Sequence, residues 1–87
     1  MTRTLIFAFG LAAMPLMAAA MPVAGDIVGT DAEAARAALA TAGCTVQSFE
    51  LEDGKIEAKC TDAATGALME VYIDPATGTV TDVKSED

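Results

Sequence analysis

Three short reversals divide the second half of the chain. Asp53-Gly54 lies between two alternating segments, and Asp62-Ala63-Ala64-Thr65-Gly66 is repeated twelve positions later as Asp74-Pro75-Ala76-Thr77-Gly78. A two-residue hairpin loop needs positive φ at both central positions, and Asp-Gly meets that need cheaply. In the other two, Asp opens a type I turn and Gly closes it in the left-handed conformation. The chain between and around these turns has period two, which predicts strands at 45–51, 56–62 and 67–74 and a short fourth at 79–84.

The turns also set the register. With Asp53 and Gly54 as the loop, Leu51 faces Ile56, Phe49 faces Ala58 and Gln47 faces Cys60. Across the second turn, Met69 faces Cys60, Val71 faces Ala58 and Ile73 faces Ile56. Two independent turns therefore predict one apolar face. The opposite face carries Glu57, Lys59, Glu70 and Tyr72, with Lys59 opposite Glu70. Val80 joins the apolar face, but strict pairing would then turn Asp82 inward and Val83 outward, so a bulge or frayed end is expected there.

Ahead of the strands, Thr30 followed by Glu33 reads as a capping box. It opens an Ala-rich run, 31–42, of high helix propensity that Gly43 is placed to end. One helix of about three turns should cover the apolar face and leave the other face wet. Residues 21–29 form a Pro- and Gly-containing lead, expected to be flexible until Ile27 and Val28 reach the core. The predicted fold class is α+β: an N-terminal helix on a three- to four-stranded antiparallel meander, with residues 30–87 as the domain.

Residues 1–20 have a different character. Arg3 is followed by an uncharged run through Leu5, Phe7, Phe9, Leu11 and Leu16, ending in Ala18, Ala19 and Ala20. This order is that of a secretory signal peptide cleaved after Ala20, or alternatively after Gly25. The uncharged run is long enough to compete as a membrane anchor, but Pro15, Pro22 and the alanines argue for cleavage. A periplasmic or secreted protein is expected, free of the membrane once cleaved. The chain holds 13 acidic residues against 5 basic and no His, and loss of Arg3 makes it more acidic still. Such a body repels nucleic acid and anionic lipid. It is also small, burying only about 60% of its unfolded surface, so a covalent staple would help it.

The helix ending in Ala42-Gly43, the turn Asp53-Gly54, the segment Ile56-Glu57-Ala58 and above all the run from Met69-Glu70-Val71-Tyr72-Ile73-Asp74-Pro75 through Thr77-Gly78-Thr79-Val80 resemble the PepSY family. These are small domains found in propeptides of secreted metallopeptidases and as free-standing exported proteins. The resemblance implies an α+β fold and a role in binding or restraining other exported proteins, peptidases among them. It supplies no catalytic residues and no cofactor. Ile56 stands where such domains often have an aromatic residue, and many members lack a cysteine pair.

Cys44 and Cys60 are the only thiols. In a small exported domain an even count reads as a disulfide; neither a Cys-x-x-Cys redox pair nor four zinc ligands is present. Glu50 and Glu57 fall opposite each other, but on the wet face, where carboxylates are solvated rather than tuned for acid–base work. Asp62 and Asp74 supply one carboxylate per loop against the six to eight oxygens calcium takes, so their role is in the turns. Tyr72, Leu68 and Val46, with Glu70 and Lys59, are the candidate interaction face. The expected function is a non-catalytic protein-binding module whose partner is another exported protein, as monomer or weak dimer; the alternative is a small-ligand or divalent-cation binder using the acidic surface.

Overall fold

The computed structural model describes residues 21–86. The signal-peptide reading of residues 1–20 lies outside the described residues. Helix α1 spans Ala32–Thr41, and the strands are β1 (Cys44–Glu52), β2 (Lys55–Asp62), β3 (Leu68–Asp74) and β4 (Thr79–Ser85). The strands form one antiparallel sheet in the order β1-β2-β3-β4. This is the expected α+β meander with four strands.

The helix begins one residue later than the capping box predicts. Asp31 is the N-cap, extended at φ −101° and ψ 135°, and its carboxylate accepts from the Ala34 N–H at 3.0 Å. A carboxylate does this well because it also meets the positive end of the helix dipole. Ala35 and Leu39, one turn apart, are buried; the small Ala35 lets the helix lie close to the sheet. Among the strands, α1 packs chiefly on β1.

Asp53 and Gly54 both have positive φ, 53° and 77°, the type I′ geometry that closes a two-residue hairpin. Leu51↔Ile56 and Phe49↔Ala58 pair as expected, as do Cys60↔Met69, Ala58↔Val71 and Ile56↔Ile73. One pairing differs: Val46, not Gln47, stands opposite Cys60, and Gln47 is the extra residue of a bulge between Val46 and Ser48. Without it, Thr45 and Gln47 would face the core. With it, Cys44 and Val46 turn inward while Phe49 and Leu51 keep the same side, so apolar burial selects the bulge. The bulge expected in β4 falls at Thr81, which lets Val83 pair with Val71.

The core consists of Val28, Ala35, Leu39, Cys44, Val46, Ala58, Cys60, Val71, Ile73 and Val80. A disulfide joins Cys44 to Cys60, with Cα atoms 5.4 Å apart. It ties the start of β1, just past the helix end, to a central strand. The lead runs along the beginning of β4: Gly25 N–H donates to the Val80 carbonyl, Val80 N–H to Asp26 and Val28 N–H to Gly78, each at 2.8 Å. Val28 reaches the core, but Ile27 does not; it bridges to Thr79 and stays 70% exposed, because successive side chains of an extended segment point opposite ways. Gly78 allows this close approach, since a Cβ there would lie 2.5 Å from the Gly29 carbonyl carbon.

Candidate interaction surfaces

The open face of the sheet brings together four of the five residues singled out from the sequence. Tyr72, at the middle of β3, is half-buried, and its hydroxyl donates to Glu70 Oε1 at 3.1 Å. Burial and that bond push the phenol up to about 12, so Tyr72 is a neutral hydrogen-bonding group at any physiological pH. The Lys84 ammonium sits 5.4 Å from its ring centroid, within range of a cation–π contact. Lys59 stands opposite Glu70 in register, but its closest ion pair is with Glu86 at 3.8 Å. Glu50, then Glu86, hold its ammonium above the usual lysine range. Leu68, at the far end of β3, is exposed.

Val46 is the exception. It belongs to the core on the opposite side of the sheet, because the bulge at Gln47 reverses the facing of every β1 residue before it. A sequence signal for this exists: apolar residues at Cys44 and Val46, then at Phe49 and Leu51, change phase once between them.

Glu57 also departs from expectation. Its register with Glu50 is as predicted, yet it is 3% exposed rather than solvated. It sits on a central strand, flanked in register by Glu50 and Tyr72. A hydrogen bond with the Glu52 carboxyl, then burial, then the charges of Glu52 and Glu70 push its carboxyl up to about 7.

The Asp62 and Asp74 carboxylates accept from the N–H groups of Ala64 and Ala76, each at 2.8 Å. They are engaged in closing the turns. Among the described residues no group of three or more His, Cys, Asp or Glu is arranged to hold a metal ion.

A second surface, on the helix side, was not anticipated. Between the first turn of α1 and the hairpin end of β1 and β2 lies a groove of about 240 Å³, lined by Ala35, Phe49, Leu51, Ile56 and Ile73 and bounded at the helix start by Thr30 and Asp31. Its origin is a mismatch of lengths. Ten helical residues rise about 15 Å, whereas the nine residues of β1 extend about 30 Å. The helix therefore covers only the disulfide half of the apolar face. Leu51 is left 79% exposed, and Phe49 is partly covered by the Arg36 guanidinium 5.3 Å from its ring.

A family model described as the peptidase propeptide and YPEB domain matches residues 3–84. No curated protein and no solved structure matches the chain. Among the described residues no helix is long and apolar enough to cross a membrane.

Proposed function

Because the chain belongs to the PepSY family of peptidase propeptide and YPEB domains, we propose that it is a non-catalytic exported module that restrains or escorts another exported protein, a peptidase first among them. The family match, which takes in nearly the whole chain, is the observation that carries this reading. The leader-like residues 1–20 and the Cys44–Cys60 bond fit an oxidising compartment outside the cytoplasm. The open face offers a contact surface of the usual composition, an aromatic with a hydroxyl handle among charged groups: Tyr72 at the centre, Glu70 and Lys59 beside it, Leu68 at the end.

The test is binding and inhibition of a panel of secreted metallopeptidases by the purified protein, with Tyr72→Ala in parallel. The proposal expects saturable binding to at least one enzyme and about a tenfold loss on Tyr72→Ala, as for a central aromatic contact. Binding to none of them would overturn the peptidase reading, and equal binding by Tyr72→Ala would remove the open face as the contact.

A further inference from the structure

The two outer strands differ in how their free edges are closed. The beginning of β4 is occupied by the lead, whose Gly25 and Val28 N–H groups donate to Val80 and Gly78 and whose Asp26 carbonyl accepts from Val80, and a bulge follows at Thr81. On β1, the carbonyl of Val46 is taken by Arg36 Nη1 at 3.2 Å, and the bulge at Gln47 interrupts the edge. From Ser48 to Glu52 no backbone hydrogen bond from another described segment closes the outer side of the strand. The turn-closing pair Glu52↔Lys55 exchanges its hydrogen bonds across the hairpin, so in the alternating antiparallel pattern Phe49 and Leu51 direct their N–H and C=O groups outward. The side chains of those same residues line the apolar groove.

We propose that the free edge of β1 at 48–52, with the groove beside it, receives an extended segment of a partner protein that alternates apolar and basic side chains. Main-chain pairing along an open edge supplies affinity, and a pocket for alternate side chains supplies selectivity. The groove matches one such apolar side chain. The basic half of the pattern follows from charge on the other side of the strand: Glu50 and Glu52 alternate with Phe49 and Leu51 and so stand on the open face, where the alternate side chains of an added strand would lie, and the chain carries a formal charge of −8. The same charges disfavour a second copy as occupant, because antiparallel pairing of β1 with itself would bring Glu50 and Glu52 of two acidic chains together. This inference rests on the protein-binding reading and names the kind of segment bound.

The test uses an end-blocked heptapeptide alternating valine and lysine, and a second peptide with glutamate for lysine, titrated into the isotope-labelled protein and followed by backbone amide NMR signals. The proposal expects saturable shifts centred on 48–52 with the lysine peptide, none with the glutamate peptide, and about a tenfold weaker response for Leu51→Lys, which removes the apolar contact and adds a repelling charge. It is overturned by shifts centred on 81–85, by equal binding of both peptides, by a response unchanged in Leu51→Lys, or by a dimer in sedimentation that Leu51→Lys dissociates. Peptide binding without any peptidase association would remove the peptidase reading and leave the edge site standing. Peptidase association lost in Tyr72→Ala but intact in Leu51→Lys would do the reverse.

Discussion

At one end of the apolar face, where the helix lies on the sheet, Leu39 of α1 and Cys44 and Cys60 of the strands have essentially no exposure; at the other, Leu51 on the same strand as Cys44 is 79% exposed. Both ends carry apolar side chains of the same sheet side, and they differ in what lies above them. The helix and the disulfide close one half and stop. The closed half therefore holds most of the packing on which the fold depends, while the bare half contributes little to stability and remains available to another chain. Local stability should be divided the same way, high near the disulfide and low at the hairpin tip.

The largest loss is expected at Leu39. Leu39→Ala leaves a cavity in the fully covered region and should cost about 2–5 kcal/mol, a large share of what so small a domain possesses; urea unfolding measures it. Removing the disulfide in a Cys44→Ala/Cys60→Ala double variant comes next. The bond closes a loop of 16 residues, worth about 3 kcal/mol in the chain-entropy model, and thermal melts of the two proteins provide the check.

A smaller effect comes from the open face. The Glu57 carboxyl lies at about 7 in the folded protein against an ordinary 4.5, so the native state binds that proton more tightly than the unfolded chain does. Its stabilising contribution is complete below about pH 4.5, declines as pH rises towards 7 and is gone above that. Glu57→Gln removes the titrating carboxyl and should flatten the decline, leaving the variant more stable than the parent at pH 8 relative to pH 5. Urea midpoints at the two pH values decide it; parallel curves would show that Glu57 does not set the slope. Smallest of all, Leu51→Lys should change stability by no more than about 0.5 kcal/mol, since the side chain it replaces is already in water.

Much of this architecture is legible in the residues themselves. Asp53-Gly54 and the twin Asp-to-Gly turns impose their conformations locally, and the registers they predict at Leu51, Phe49, Met69, Val71 and Ile73 are those observed. The spacing of Val80 and Val83 likewise announces the bulge at Thr81. What escapes such reading depends on more than one strand. The bulge at Gln47 follows from the demand that Cys44 and Val46 reach the same core as Phe49, which strict extension from the turn overlooks. Glu57 is buried on a strand with a neighbour on each side, a property of the sheet rather than of its own segment. The groove arises from the unequal reach of α1 and β1, so it becomes visible only when helix rise and strand length are set against each other. Of the open-face residues, Tyr72, Glu70, Lys59 and Leu68 share a face because they share the alternation of β2 and β3; Val46 lies before the bulge and does not.

The division of the apolar face into a structural half and a docking half is tested most directly by amide hydrogen exchange across the whole sheet, with and without the valine–lysine peptide. In the free protein Cys60 and Val71 should be strongly protected and the outward amides of Phe49 and Leu51 fast, and the peptide should slow those two amides selectively. Slow exchange at Phe49 and Leu51 in the free monomer, or protection by the peptide that appears only elsewhere on the sheet, would contradict it.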